Sequence, residues 1–268
     1  MYSDPVFTNT DSIDFAENDP DIVVRVGRGG RSAGACSTDG GLTWIPFPAS
    51  GAGGNGGGSI AVSADGATFV WVQGGTTAFS RDRGTTWHAS TGTPAGRATI
   101  ISDRVAPDTF YLMAAGQLLV STDSGRMFSA RGALPAGAVQ LRTTPGHAGD
   151  LWLTTGQNGL YRSTDGGTTF ARIGDVPDAQ RLGFGKAAPR HDYPALYLTG
   201  QTRRGASGVF RSDDRGLTWV RINDDAHQYG YSGQTVTGDP RLYGRVYMGS
   251  NGRGILYADP TPARTANE

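Results

Sequence analysis

The sequence predicts an all-β protein: a β-propeller of four-stranded antiparallel blades. Two observations support this prediction. An eight-residue motif recurs five times at a nearly constant interval, and the composition is typical of short strands joined by tight turns. The 268 residues include 42 glycines, five Trp, ten Tyr and ten Phe. Glycine favours turns and aromatic residues favour strands.

The repeated motif reads S-x-D-x-G-x-T-[WF], and we call each copy a box. The serines of successive boxes are 43, 41, 42 and 49 residues apart, which matches the roughly 40–50 residues of a four-stranded blade. The third box is degraded and keeps only its Ser, Asp, Gly and Phe. The five boxes begin at Ser37, Ser80, Ser121, Ser163 and Ser212.

Each box is interpreted as the turn between the third and fourth strands of a blade. Its Asp can accept backbone N–H bonds, its Gly can adopt a positive φ, and its aromatic residue begins the next strand and packs between blades. The alternative for the box carboxylates is a calcium-binding or catalytic role. The structural role is expected for Asp39, Asp82, Asp123, Asp165 and Asp214.

The second unit shows the order of elements within a blade. Strands are expected at Ser59–Val62, Thr68–Val72 and Thr76–Ser80, followed by the box and by a fourth strand from Trp87. The other inner strands are expected to begin near Ser12, Ile100, Gln140, Leu182 and Thr235. This gives six blade units in a single propeller domain over residues 1–268, without a helix. The last unit, 235–259, has no box after it.

Composition excludes several classes of function. The formal net charge is zero, so neither nucleic acid nor an anionic membrane is an expected partner. No apolar run approaches the roughly 18 residues of a membrane span, and the N-terminus does not resemble a signal peptide. Cys36 is the only cysteine and the four histidines lack ligand spacing, so no metal or cofactor is expected.

Propeller topology places the box turns on one face and the longer, more varied loops on the other, where function is expected. The glycine-rich loops at 27–30 and 249–254 resemble phosphate loops, but no helix follows them to complete an anion site. Four carboxylates are predicted in loops of the second face and are interpreted as solvated: Asp175, Asp178, Asp224 and Asp225. The residues alone therefore predict a binding face without a persuasive catalytic pair.

Several segments resemble the second, C-terminal propeller of glycoside hydrolase family 74. The resemblance extends over essentially the whole chain and is most specific at its end. The segments that carry it are Asn9–Ala16, Val23–Gly27, Gly183–Pro189, Tyr193–Tyr197, Arg221–Asp225, His227–Gly230, Thr237–Arg241, Gly244–Tyr247 and Asn251–Ile255.

The resemblance implies two seven-bladed propellers that bind xyloglucan in a cleft between them and belong to a secreted enzyme. It also implies cleavage with inversion by one Asp from each propeller, without a cofactor. The family's general base lies in the first propeller and its general acid in a loop before the position of Met1, and neither motif occurs here. The chain is thus expected to be an inactive substrate-binding part of an endo-xyloglucanase that lacks about one blade upstream. A first propeller would be supplied upstream or in trans.

Sugar rings stack on aromatic side chains, and their hydroxyls need polar partners, so candidate ligand contacts are predicted on two loops. They are His227, Tyr229 and Tyr231 on one loop and Asn251 and Arg253 on the other. Packing of the loops against each other is the alternative for each residue. A non-catalytic scaffold propeller is the alternative function. A sialidase is disfavoured because Glu17 and Glu268, the only glutamates, form no tyrosine–glutamate nucleophile pair.

Overall fold

The computed structural model describes residues 9–28, 33–48, 56–203, 205, 207–227, 235–250 and 254–260. Every regular element in these ranges is a strand, and the strands form six sheets. Five sheets have four strands in chain order and the last has three. The strands are β1 (Asn9–Phe15), β2 (Ile22–Arg28), β3 (Gly34–Thr38), β4 (Ile45–Pro46), β5 (Ser59–Val62), β6 (Phe69–Gln73), β7 (Thr76–Ser80), β8 (His88–Ala89), β9 (Ala98–Ser102), β10 (Phe110–Ala114), β11 (Gln117–Ser121), β12 (Ser129–Ala133), β13 (Gln140–Thr143), β14 (Leu151–Thr154), β15 (Leu160–Ser163), β16 (Ala171–Ile173), β17 (Asp178–Gly185), β18 (Ala195–Gln201), β19 (Gly208–Ser212), β20 (Val220–Arg221), β21 (Thr235–Gly238), β22 (Val246–Gly249) and β23 (Ile255–Ala258).

These sheets confirm the four-stranded antiparallel blades predicted from the sequence. The described residues form six blades, which is the number of repeat units. A seventh blade is not found among the described residues. The chain divides into two compact units, each described here by itself. Unit 1 comprises Met1–Leu134, Thr143–Leu151 and Ser163–Thr169, and unit 2 comprises Pro135–Arg142, Trp152–Arg162 and Phe170–Glu268.

The second sheet tests the predicted strand bounds directly. β5 and β7 have the predicted limits, whereas β6 begins one residue later than expected. Thr68 instead closes the β5–β6 turn, since its N–H donates to Ser63 Oγ at 2.9 Å and its carbonyl accepts the Ser63 N–H at 2.9 Å. Trp87 also precedes the fourth strand, because its indole N–H turns back to the Gly84 carbonyl at 3.0 Å.

The inner strands begin as predicted at Ser59, Gln140 and Thr235, whereas β1, β9 and β17 begin earlier than predicted. Pairing of β1 with β2 shifts register between Thr10 and Ser12, and pairing of β17 with β18 shifts between Ala179 and Arg181. A bulge of this kind adds one residue and allows pairing to resume beyond it. Asp178, predicted in a loop, is for this reason the first residue of β17.

The core of each unit lies between successive sheets. In unit 1, Val24 of β2 and Trp71 of β6 belong to one buried cluster, and Val70 of β6 and Leu112 of β10 belong to the next. In unit 2, the equivalent clusters centre on the buried side chains of Leu198 and Tyr197, on opposite faces of β18. Both faces of β6 and β18 are thus covered, and the runs Phe69–Val72 and Ala195–Leu198 are continuously apolar rather than alternating.

Side chains of the inner strands also join one sheet to the next. Ser59 Oγ accepts the Ile100 N–H at 3.1 Å, and Ser12 Oγ accepts the Ile60 N–H at 3.2 Å. Thr143 Oγ1 donates to the Ser102 carbonyl at 2.8 Å. Each bond links the inner strand of one sheet to that of its neighbour in unit 1.

The box turn uses two successive residues with positive φ, where the sequence predicted one. The box glycine has φ between 79° and 89° in all five copies. The residue before it has φ between 58° and 69°, although it is Arg83, Ser124 or Arg215 in three copies. These angles match the two central residues of a type I′ turn, whose twist suits antiparallel strands.

Candidate functional site

Among the five predicted ligand contacts, His227 lies in the described part of the chain, in the segment that follows β20. Tyr229, Tyr231, Asn251 and Arg253 lie outside the described residues. The site can therefore be built from Arg221 to His227 and from the strands that hold this segment.

Asn223 anchors the segment to β19. Its side-chain oxygen accepts the Val209 N–H at 2.8 Å, and its amide nitrogen donates to the His227 carbonyl at 3.1 Å. Gly208 makes this approach possible, because a Cβ there would lie 2.7 Å from the Asn223 oxygen. Residues 223–227 are thereby fixed as a short closed loop at the end of the blade.

Asp224 and His227 form a carboxylate–imidazole pair within this loop. One oxygen, Asp224 Oδ1, accepts the His227 backbone N–H at 2.9 Å and lies 2.6 Å from Nδ1 of the ring. The hydrogen bond from the His227 side chain lowers the pKa of Asp224. A neutral imidazole that donates through Nδ1 keeps Nε2 as its acceptor nitrogen. The pair can thus present an oriented imidazole to a hydroxyl group.

Arg221 lies beside this pair and contributes a guanidinium that is only partly satisfied. Its Nη1 lies 2.8 Å from Asp225 Oδ1, and the Asp225 side chain is 85% exposed. Its Nε and Nη2 are buried and have no hydrogen-bond partner within the described residues. Buried N–H groups of this kind need a partner, so an ordered water or a ligand oxygen would be stabilised here.

Three of the four carboxylates predicted on this face are held by local side-chain contacts. Asp224 and Asp225 have the partners just described, and Asp178 accepts the Gln180 side-chain amide at 2.5 Å. The backbone carbonyl of Asp175 accepts the Arg203 N–H at 3.0 Å. Asp224 and Asp225 are solvated, as predicted, with side chains 65% and 85% exposed, but their two pairings were not predicted from the sequence. An Asp three residues before a His was the available signal for the first of them.

The box carboxylates make the hydrogen bonds that the predicted turn role requires. In the first box, Asp39 Oδ1 accepts the Thr43 N–H at 2.8 Å and the Ser37 hydroxyl at 2.7 Å, and Oδ2 accepts the Thr43 hydroxyl at 2.5 Å. The same set recurs at Asp82, Asp165 and Asp214. Asp123 has no Thr to pair with and accepts the backbone N–H groups of Arg126 and Met127 instead.

These bonds favour the charged form of every box carboxylate. The bond from the Thr43 hydroxyl is the main one that lowers the pKa of Asp39 to about 2, and that from Thr86 lowers the pKa of Asp82 to about 2. The backbone bond from Thr169 lowers the pKa of Asp165. At Asp123 and Asp214, burial raises the pKa, but the hydrogen bonds outweigh it. Acceptors occupied in this way are poorly suited to proton transfer.

Two other classes of site were searched in the same ranges of the chain. No group of three or more His, Cys, Asp or Glu among the described residues could hold a metal ion. These ranges also contain no helix with the length and apolar character needed to cross a bilayer.

Comparison with known proteins relates the chain to large polysaccharide-degrading enzymes, although no family model matches it. A xyloglucanase of a Paenibacillus species is 47% identical over all of this chain and 27% of its own length. Xyloglucanase Xgh74A of Acetivibrio thermocellus is 42% identical over 96% of this chain and 31% of its own length. The chain thus spans less than a third of these curated relatives.

The fold agrees with that of a solved relative. The crystal structure of the GH74 xyloglucanase from Xanthomonas campestris superimposes with a TM-score of 0.88 and 40% sequence identity. The match covers 97% of this chain and 38% of the solved chain.

Proposed function

Because the chain belongs to glycoside hydrolase family 74, we propose that it is the substrate-binding C-terminal propeller of a xyloglucan-specific endo-β-1,4-glucanase. The observation that carries the proposal is the match of nearly the whole chain to proteins named xyloglucanase. The ligand of the proposed site is a branched β-glucan, which is neutral, as the chain is overall. A polymer of this kind is met outside the cell, and the proposal includes secretion.

The proposed binding surface consists of residues 223–227, of Tyr229 and Tyr231 on the same predicted loop, and of Asn251 and Arg253 on the second predicted loop. The Asp224–His227 pair supports it, because a fixed imidazole can exchange a hydrogen bond with a sugar hydroxyl. The Arg221 guanidinium lies at the same end of the blade and is paired with the exposed carboxylate of Asp225. Tyrosine rings would supply the flat apolar surface on which a sugar face stacks.

The proposal assigns the catalytic carboxylates to another part of the enzyme. Inverting hydrolysis needs an acid on the leaving oxygen and a base on water, with the two carboxyl groups about 6.5–9.5 Å apart across the sugar. Asp178, Asp224 and Asp225 are each held by a local partner, and they lie on a single propeller. A first propeller, supplied upstream or in trans, would provide the opposite wall of the cleft.

The proposal is tested by titrating the purified chain with a xyloglucan heptasaccharide in a calorimeter while reducing ends are measured in parallel. We expect binding without turnover, and we expect activity when the first propeller and the upstream acid loop are supplied. General acid and base groups are each worth about 10²–10⁴ in rate, so loss of both abolishes detectable hydrolysis. Robust hydrolysis by the isolated chain that one of D175A, D178A, D224A or D225A eliminates would overturn this assignment.

The binding surface is tested with H227A and with the double variant Y229A/Y231A. Both should weaken binding of the heptasaccharide, whereas H191A, at an exposed histidine of the same unit, should leave it unchanged. Unchanged affinity in a folded double variant would remove the tyrosines from the site. Absence of any glucan binding by the folded chain would favour the alternative, a non-catalytic scaffold propeller.

A further inference from the structure

A cleft of about 350 Å³ lies in unit 1, beside the second box. Its lining residues come from the end of β7, from the second box, from β8 and from the third box. They are Phe79, Arg81, Asp82, Thr86, His88 and Arg126. None of these residues belongs to the loops proposed to bind xyloglucan.

The two walls of the cleft are fixed to each other by the backbone. The Thr91 N–H donates to the Arg126 carbonyl at 2.9 Å, and the Phe128 N–H donates back to the Thr91 carbonyl at 2.9 Å. Ser90 Oγ adds a bond to the Gly125 carbonyl at 2.6 Å. The third box is thus held against the strand that follows the second box, and the cleft is preformed.

An aromatic ring forms part of the lining. Phe79 is 9% exposed and belongs to the core, and the centroid of its ring lies 5.5 Å from that of the exposed His88. The Arg81 guanidinium carbon lies 5.9 Å from the Phe79 centroid, over the ring. The cleft therefore combines an apolar surface with cationic and imidazole groups beside it.

The charged side chains of the cleft differ in how many hydrogen bonds they already make. Both oxygens of Asp82 accept hydrogen bonds from the box itself, from Ser80 and from the Thr86 backbone and hydroxyl. Arg81 makes one long hydrogen bond, 3.4 Å, to the Asp123 carbonyl. Arg126 makes no side-chain hydrogen bond or ion pair within the described residues. The lining therefore carries two guanidinium groups against one ionised carboxylate, and its net charge is positive.

We propose that this cleft binds a uronate, the carboxylate-bearing sugar residue of an acidic polysaccharide. Guanidinium groups match the planar geometry of a carboxylate, and hydrogen bonds between charged partners are stronger than neutral ones. The exposed imidazole of His88 can bond a hydroxyl of the sugar. The volume is within the range of small-ligand sites, roughly 300–1,000 Å³. A neutral glucan would offer the two arginines hydroxyl groups but no charged partner.

The proposal is tested by calorimetry with a β-1,4-linked glucuronate trisaccharide, with cellotriose as the neutral probe of the same linkage. The double variant R81Q/R126Q should bind the uronate at least about tenfold more weakly than the unaltered chain, since it loses two charged hydrogen-bond partners. Its affinity for the xyloglucan heptasaccharide should not change. If the unaltered chain binds the uronate but not the xyloglucan heptasaccharide, the proposed function is overturned and the uronate site is not.

The matched control is R97Q/R241Q, which makes the same change in net charge at two exposed arginines outside the cleft. An equal loss of uronate binding in the control would show a non-specific charge effect and overturn the proposal. So would cellotriose binding that falls in parallel with uronate binding, or acetate that displaces the uronate at equal concentration. In the unaltered chain, the His88 ring resonances should shift on addition of the uronate, and unshifted resonances would also overturn it.

Discussion

At the scale of single residues, the boxes show how far a sequence pattern specifies a turn. The Asp and the Gly were predicted from residue type, because a carboxylate accepts N–H groups and glycine adopts positive φ without strain. The residue between them was missed as a second left-handed position. Arg83 carries no mark of a positive φ, which costs an L-residue roughly 1–2 kcal/mol and is offset here by the surrounding bonds.

The box carboxylates predict an acid-dependent stability. The pKa of Asp82 is lowered from 3.8 to about 2 in the folded chain, chiefly by the bond from the Thr86 hydroxyl. A lowered pKa contributes stability that is present above the unfolded value and is lost as pH falls through the folded value. The difference in free energy of unfolding between the unaltered chain and D82N should therefore narrow between pH 4 and pH 2.

Urea unfolding at a series of pH values measures this difference. D192N removes an exposed carboxylate outside the boxes and serves as the control. A difference for D82N that stays constant across this interval would mean that the box hydrogen bonds do not favour the ionised carboxylate.

At the scale of strands and turns, the 40-residue repeat predicted every blade of the described part. Apolar runs and turn residues placed β5 and β7 at their observed limits. The bulges in β1 and β17 were not predicted, because a bulge is defined by the pairing of two strands and the sequence of one strand does not show it. The same reason explains why the anchor of the candidate site was not predicted, since Asn223 holds its loop by accepting the Val209 N–H of another strand.

The turn geometry predicts unequal costs for two glycine substitutions. Gly84 and Gly116 both have positive φ, at 81° and 74°, so Ala at either position strains the backbone by roughly 1–2 kcal/mol. A Cβ at Gly84 would also lie 2.3 Å from the Phe47 ring, whereas a Cβ at Gly116 meets nothing within 4 Å. G84A should therefore be less stable than G116A by about 1–3 kcal/mol in urea unfolding, the usual cost of overpacking.

Equal stabilities for these two variants would show that the Phe47 ring moves aside without cost. G84S would then be compared with G116S. If the Phe47 ring can move only a short distance, the larger serine side chain should make G84S less stable than G116S.

At the scale of the whole molecule, the sixth sheet differs from the other five. It has three strands in the described residues, and β23 forms one of its edges. Ile255 and Tyr257 of β23 are 78% and 67% exposed. An unpaired strand with exposed apolar residues can pair with another chain. The repeat predicted an incomplete last sheet, because no box follows the last unit. The repeat does not predict which surface pairs with β23, because that surface lies outside the repeated pattern.

Self-association through β23 is the expected consequence for the isolated chain. Sedimentation velocity at increasing protein concentration should show oligomers, and I255K should shift the distribution towards monomer because a lysine on an edge strand opposes pairing. L217K is the matched control, since Leu217 is also 78% exposed but lies in a box turn. A monomeric unaltered chain, or equal effects of the two lysines, would exclude β23 as the contact.

The bonds between inner strands have a consequence for the order in which unit 1 opens. Within the described residues, the bonds of Ser12, Ser59 and Thr143 join the inner strands of adjacent sheets, and the Arg104–Asp14 ion pair also ties β1 to the turn after β9. β1 is largely exposed and shares these inner-strand bonds with one neighbour, whereas the sheets that contain β5 and β9 each share them with two. Amide hydrogens should then exchange with solvent first in β1 and last in β5 and β9. Local unfolding would therefore begin at β1. The uronate cleft, which lies between the second and third sheets, would keep its shape until after the first sheet has unfolded.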